Sequence, residues 1–427
     1  MVHHFNYRDG EMFAEDVALN VIADEIGTPF YCYSGATFRR HIRVMGEAFA
    51  GFDTLVAYAM KANSNQAMLA IAASEGIGAD VVSGGELERA LRAGIAPEKI
   101  IFSGVGKTRA EMRAGLEAGI LCFNLESEPE LERLDQVAGE MGVVASVSVR
   151  VNPDVDARTH AKISTGKSEN KFGIPFARAE AVYARIAQSA NLRAVGVDMH
   201  IGSQIVDLEP FDNAFALMAE LVGRLRALGH DIEHVDVGGG LGIPYRHDAP
   251  APPDPLAYAE IVKARVSELG CRLIIEPGRL IAGNAGVLVT GVEYVKQTDK
   301  KSFVIVDAAM NDLIRPTLYE AHHDVMPVRE AEEDARTIRA DIVGPVCETG
   351  DYLALDREIA NVAEGDRLVV MTAGAYGAVM SSTYNTRPLV AEVLVEGDRW
   401  HTVRPRQSVD ALIGMDSVPE WLDRTGQ

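Results

Sequence analysis

Cysteine is scarce in this chain, and what there is lies scattered. Cys32, Cys122, Cys271 and Cys347 include no Cys-x-x-Cys pair, so their spacing supports neither a zinc site nor a disulfide framework. No metal is expected, and a cytoplasmic setting is the default. Positive charge is also in short supply: 41 lysines and arginines face 62 acidic residues, a formal net charge of −21. Such a surface disfavours nucleic acid and anionic membrane as main partners. Any anion site must therefore be local. No apolar run reaches the length of a membrane span, and Met1-Val2-His3-His4-Phe5-Asn6-Tyr7 lacks the apolar core of a secretory signal. Low-complexity tracts are missing too. What remains is a chain of 427 residues, 47% hydrophobic and 24% charged, a globular balance at a length that allows two domains.

The order of apolar runs gives the fold class. Residues 1–35 hold a polar start, a helix-like run from Ala14 to Ile26 and the β-rich Pro29-Phe30-Tyr31-Cys32-Tyr33. Short buried-type runs then alternate with amphipathic helical stretches. The runs are Leu55–Ala59, Ala79–Val82, Ile100–Ser103, Leu121–Leu125, Val147–Val151, Ala194–Met199, His234–Val237 and Leu273–Ile275. Eight β-then-α units over about 250 residues predict an α/β fold with an eight-stranded parallel TIM-type barrel over 36–283. A doubly wound open sheet is the competing architecture. Past Arg279 the rhythm breaks, and Val287–Tyr294, Phe303–Asp307, Ile338–Val343, Arg367–Met371 and Leu389–Val395 read as strands. A mainly β C-terminal domain is expected over 284–427, with segment 1–35 packing against it.

Chemistry in a parallel barrel gathers at the carboxyl ends of the strands. Here those ends carry Lys61, Asp80 with Ser83, Ser103, Asn124 with Glu126, Arg150 with Asn152, His200, Gly238-Gly239-Gly240, and Glu276 with Arg279. Lys61 is either a lysine reaching out to solvent or an amine that forms a Schiff base with an aldehyde cofactor. The glycines are either a turn or a cradle whose backbone N–H groups hold a phosphate. His200 is either a hydrogen-bonded structural histidine or a ring lying against a planar cofactor, with Ser203 offering a hydroxyl to the phosphate. Glu276 follows Leu273-Ile274-Ile275 and needs a cationic partner, which Arg279 or a protonated pyridine nitrogen would supply. The polar insertion Asp156–Lys171, with Arg158, His160, Lys162, Lys167 and Lys171, suits a solvated loop or a lid.

Seven segments carry a family resemblance: AYAMKANSN (57–65), SGGEL (83–87), HIGSQ (200–204), VGGGLG (237–242), EPGR (276–279), GPVCETGD (344–351) and GAYG (374–377). In order and spacing, over nearly the whole chain, they resemble the diaminopimelate decarboxylases, pyridoxal-phosphate enzymes of the alanine racemase-like barrel class. One departure is mild. The family's usual Cys-Glu-Ser-Gly-Asp reads here with Thr349 in place of serine.

The resemblance implies a role for each matching residue. Lys61 would hold pyridoxal 5′-phosphate covalently, with Asp80 lining the cofactor side nearby. Gly238, Gly239, Gly240, Ser203, Gly278 and Arg279 would grip the phosphate. His200 would stack on the ring, and Glu276 would pair with the ring nitrogen. Tyr376 would approach both cofactor and substrate. Arg279, Arg315 and Tyr319 would receive the distal carboxylate of a small amino-acid substrate, with Glu348 accepting from the amino group beside it. Cys347, or else the freed Lys61, would protonate the substrate carbon after CO2 leaves. Cys347 and Glu348 would act in the other subunit's site, which implies a homodimer with shared active sites. The implied reaction converts meso-2,6-diaminopimelate to L-lysine and CO2.

The alternatives share parts of this set. Ornithine, arginine or lysine decarboxylases need no clamp for a distal carboxylate, and amino-acid racemases prefer an arginine at the ring nitrogen. A non-catalytic decarboxylase-like regulator would have little use for Lys61, Glu276 and Cys347 together.

Overall fold

A computed structural model describes residues 3–166, 170–248, 250–332 and 334–422. The chain divides into two compact units, one holding Gly35–Ala285, the other joining His4–Ser34 to the chain from Gly286 onward.

In the first unit, strands Thr54–Ala59, Gly78–Val81, Ile100–Phe102, Cys122–Leu125, Ala145–Asn152, Leu192–Asp198, His234–Asp236 and Arg272–Ile275 pair in parallel in chain order. The circuit closes where Arg272–Ile275 meets Thr54–Ala59, so the sheet is a barrel and not a doubly wound sheet. The two-residue strand Ile174–Pro175 adds to the rim of Ala145–Asn152. Local chemistry sets the helix starts. Ser83 accepts from the Glu86 N–H to open Gly84–Arg92. Thr108 and Glu111 form a reciprocal capping box on Arg109–Ala118. Gly119 and Gly142 end their helices in the left-handed region.

The barrel interior is layered. Leu55, Ala57, Ile101, Cys122, Val195 and Ile274 form an apolar layer. Beside it, Ser148 Oγ lies 2.8 Å from His234 Nε2, with the Cys122 sulfur 3.9 Å from the same nitrogen. This polar bridge passes beside Gly196. A Cβ there would fall 2.1 Å from His234 Nε2 and 2.5 Å from Ser148 Oγ.

The second unit is built on one mixed sheet ordered Tyr352–Ala360, Thr337–Val343, Ser302–Val306, Gly286–Gln297, Phe30–Ser34, Ala391–Glu396 and Arg399–Arg404. Arg367–Val370 pairs with Gly286–Gln297 and with Val325–Pro327. The helix expected from Ala14 begins only at Leu19. Ala14 instead ends the strand Glu11–Ala14, Glu15 turns the chain at φ 54°, and Val17–Ala18 pairs back. Burial decides against helical periodicity here. Phe5, Met12, Ala14 and Val17 fill the same core as Phe30, Val287, Val369 and Val393. Two strands, Tyr352–Ala360 and Arg399–Arg404, were not evident from their mixed polar composition.

Gly196→Ala is expected to lower the unfolding temperature measurably, because overpacking in a filled core costs about 1–3 kcal/mol. Calorimetry at a fixed scan rate checks this, and an unchanged transition would mean that the His234–Ser148 bridge can move aside.

Candidate active site

Lys61 stands just past the strand Thr54–Ala59, in the short turn Met60–Ala62. Its Nζ donates to Asp80 Oδ2 at 2.8 Å; the lysine side chain is 34% exposed, while Asp80 is fully buried at the end of the adjacent strand. The amine is thus fixed from below and reachable from the mouth. Glu276 follows the strand Arg272–Ile275, which pairs directly with the lysine's own strand, and the Ala59 N–H donates to the Pro277 carbonyl at 3.3 Å. Lys61 and Glu276 therefore share one end of the barrel.

Negative charge is crowded there. Oxygens of Asp198, Asp236 and Glu276, all buried, lie within 4.8 Å of one another. Glu276 Oε1, Asp236 Oδ2, Asp198 Oδ1 and Asp80 Oδ1 are buried without a hydrogen-bond partner. Burial first, then repulsion from Asp236, Asp80 and Asp198, pushes the Glu276 carboxyl well above the carboxylate range, against the pull of Lys61. Asp198 is driven up by burial and then by Asp236, against the pull of Arg150. That crowding favours the protonated form of Glu276, and a cation at its oxygen would reverse the preference.

Around this core lie the residues expected to grip a phosphate. Arg279 donates through Nη2 to Ser203 Oγ at 3.0 Å and through Nη1 to the Tyr245 hydroxyl at 2.6 Å. Gly238 and Gly240 adopt φ of 65° and 109°, and a Cβ on Gly239 would fall 2.2 Å from the Glu276 carbonyl oxygen. Only glycines fit this backbone path. A Cβ on Gly278 would press against the Ala59 carbonyl oxygen at 3.0 Å. The Gly238 N–H donates to Asp236 Oδ1 at 2.9 Å, and that of Gly239 to His200 Nδ1 at 3.1 Å. The second bond leaves Nδ1 without a proton. Burial, Arg150 and Lys61 all push the His200 pKa well down, so the ring is neutral.

A chain of buried ion pairs fixes the histidine segment. Lys107 Nζ bonds Glu130 Oε1 at 2.7 Å, and Glu130 Oε2 accepts from the Glu126 N–H at 2.9 Å. Glu126 Oε1 accepts from Arg150 Nη1 at 2.7 Å, and Arg150 Nη2 reaches the His200 carbonyl at 3.4 Å. Buried pairs of this kind add little net stability but define geometry. The insertion after the fifth strand packs onto the same segment: the Ser203 N–H donates to the Ile163 carbonyl at 3.1 Å and Thr165 Oγ1 to the His200 carbonyl at 3.0 Å. Arg158 pairs with Asp207 and Glu209. Lys167 lies outside the described residues.

The β-rich unit gathers its own set. Arg315 opens the short helix Arg315–Tyr319 and is buried, with Nη1 2.8 Å from His323 Nε2. His323 Nδ1 lies 2.8 Å from the Met371 carbonyl. Tyr319 is half-buried at the other end of that helix. Thr317 Oγ1 donates to the Gly350 carbonyl, tying the helix to the 344–351 loop. That loop is held by Asp351, whose oxygens accept from the Met310 and Val346 N–H groups, each at 2.6 Å. Cys347 is the exposed cysteine; the other three are buried. Tyr376 is half-buried with φ 56°. Tyr384 and Asn385, which sequence reasoning passed over, bond Glu348 and Cys347 respectively. They sit in an exposed polar run without periodicity, and the nearness of Ser-Thr-Tyr-Asn to GAYG was the one available signal.

Residues 35–283 match the family model described as the pyridoxal binding domain of pyridoxal-dependent decarboxylases. The chain is 55% identical over 416 residues to the diaminopimelate decarboxylase of Pseudomonas aeruginosa, covering 97% of this chain and 99% of that protein. The crystal structure of diaminopimelate decarboxylase from M. jannaschii complexed with L-lysine superposes with a TM-score of 0.93 at 36% identity, covering 98% of both chains. That from Helicobacter pylori, also complexed with L-lysine, gives 0.89 at 39% identity, covering 93% of this chain and 98% of the other. The chain belongs to the diaminopimelate decarboxylase family. It is a pyridoxal-phosphate-dependent lyase, and the barrel mouth fits that cofactor. A reachable amine, a neutral buried carboxyl with an orphan oxygen, and a glycine path beside Arg279 and Ser203 match an aldehyde, a basic ring nitrogen and a phosphate. No helix among the described residues is long and apolar enough to cross a membrane.

Stability of the cofactor-free barrel should depend on pH with two opposing signs. Burial, with Arg272 and Arg193 nearby, holds the His234 pKa down to about 4; its contribution is present above the unfolded value of about 6.5 and lost as pH falls toward 4. Burial pushes Asp236 up to about 6; its contribution is present below about 3.9 and lost as pH rises through 6. Each is on the order of 3 kcal/mol. Calorimetry across pH should find the acid limb shallower in His234→Asn and the neutral limb shallower in Asp236→Asn; unchanged limbs would contradict these environments.

Proposed function

We propose that this chain decarboxylates meso-2,6-diaminopimelate to L-lysine and CO2, the last step of lysine biosynthesis. The reading rests above all on the barrel mouth, where the Lys61 amine and the neutral Glu276 carboxyl share one end of the barrel. When bound, pyridoxal phosphate supplies an aldehyde that captures an amine and a ring that draws electrons from the substrate α-carbon. Lys61 provides the resident amine, and Asp80 holds its Nζ in place. Glu276, whose Oε1 is buried without a hydrogen-bond partner, would give its proton to the ring nitrogen and, as carboxylate, hold the resulting cation. Arg279, Ser203, Gly278 and Gly240 seat the phosphate, while Gly238 and Gly239, whose N–H groups are committed to Asp236 and His200 and not to an anion as expected, bring the backbone close. The neutral His200 ring offers a flat face with its Nδ1 already committed.

The β-rich unit supplies the remaining groups. Arg315 and Tyr319, with Arg279, bind the distal carboxylate, Glu348 accepts from the distal amine, and Tyr376 borders the substrate. Keeping the arginines at the far end matters, because a cation beside the departing carboxylate would stabilise its charged ground state. Cys347 gives its proton to the α-carbon. By family resemblance the protein is a homodimer in which Cys347 and Glu348 of the partner subunit act in each site. An exposed thiol with an acid–base duty also suits the reducing cytoplasm.

Release of CO2 from meso-diaminopimelate, compared with ornithine, lysine and arginine, tests the substrate. Diaminopimelate alone should turn over, and borohydride should trap the cofactor on Lys61. Cys347→Ala should lower kcat by about 100-fold or more while the cofactor absorbance persists. Preferred turnover of ornithine, or full activity in Cys347→Ala, would overturn the corresponding assignment.

A further inference from the structure

Two consecutive side chains, Tyr384 and Asn385, bond two consecutive side chains of the 344–351 loop. The Tyr384 hydroxyl donates to Glu348 Oε1 at 2.5 Å, and Asn385 Nδ2 donates to Cys347 Sγ at 3.4 Å. The backbone that presents them is unusual. Asn385 and Thr386 both adopt left-handed φ, 55° and 57°, which non-glycine residues rarely do in succession. Both flanks of this turn are pinned. Ser382 exchanges hydrogen bonds with Asn311, its N–H to the Asn311 carbonyl and the Asn311 Nδ2 to its own carbonyl. Arg387 Nη2 reaches the Asp307 carbonyl. Opposite, Asp351 clamps the cysteine loop and Thr317 ties it to the helix bearing Arg315. A casual surface contact needs neither two fixed anchors nor a strained turn between them.

We propose that Asn385 is a positioning residue that aims the Cys347 sulfur and stabilises it as thiolate, with Tyr384 shielding the sulfur from the charge of Glu348. The proposal rests on the reading of Cys347 as the proton donor. When the S–H proton passes to the substrate α-carbon, the electron pair on that carbon forms the new C–H bond and sulfur keeps the old S–H pair as thiolate. An amide N–H aimed at sulfur is worth more to the thiolate than to the thiol. Glu348 is the sulfur's neighbour in the chain, and its short bond from the Tyr384 hydroxyl spreads the negative charge beside Cys347. The turn's strain is the structural cost of holding the amide there.

Alkylation of the holoenzyme with iodoacetamide tests this, because the other three cysteines are buried and mass spectrometry assigns the label. Asn385→Gly keeps a left-handed backbone and deletes the donor. It should slow Cys347 alkylation at neutral pH about three- to tenfold and move the rate profile to higher pH, while lowering kcat more than it alters KM. Asn385→Asp tolerates the same backbone and faces sulfur with a carboxylate, so it should slow labelling further. An alkylation profile unchanged in both variants would overturn the proposal, whatever happens to the unfolding temperature. Cys347→Ala separates the two layers. If it keeps full turnover, the proton-donor reading falls; if it abolishes turnover while Asn385→Gly labels like the native chain, only the present inference falls.

Discussion

One electrostatic constraint organises the barrel mouth: more buried carboxyls converge there than the local cations can ionise. Asp80, Asp198, Asp236 and Glu276 share the space with Lys61 and Arg150. Arg150 is spoken for by Glu126, and Lys61 leans on Asp80. Glu276 is left as a neutral acid with an orphan oxygen, a state that a basic ring nitrogen relieves and that no apolar ligand would. Cofactor selection and electronic activation then follow from the same crowding.

That crowding is tolerable only in a stiff frame. The ion-pair chain from Lys107 through Glu130, Glu126 and Arg150 to the His200 carbonyl spans successive strand ends and sets where the histidine backbone lies. Gly196 lets the Ser148–His234 bridge cross the interior, and the glycines at 238–240 bring backbone where side chains would collide. In the β-rich unit the same logic recurs on a smaller scale, with Asp351 and a strained Tyr384–Thr386 turn gripping the cysteine loop.

Much of this could be read from the residues because barrels write their sites at strand ends. Short buried runs punctuated by Lys61, Asp80, His200 and Glu276 gave the circuit and its mouth within a residue or two of the observed strands. Other features resisted reading for physical reasons. Ala14–Ala18 carries helix-compatible residues whose pairing is decided by a core assembled from distant strands. Lys107 looks like a surface lysine until the fold buries it against Glu130. The Glu126–Arg150 bond joins neighbouring strands whose register no local pattern reveals. Tyr384 and Asn385 lie in an exposed polar run, where neither periodicity nor composition distinguishes a grip from a loop.

Difference infrared spectroscopy of the cofactor-free protein on addition of pyridoxal phosphate reads the protonation of Glu276 without turnover. A carbonyl-stretch band of a neutral, buried carboxylic acid should disappear as the cofactor binds, and Glu276→Gln should lack this loss. No band change in the native protein, or the same loss in Glu276→Gln, would contradict that protonation.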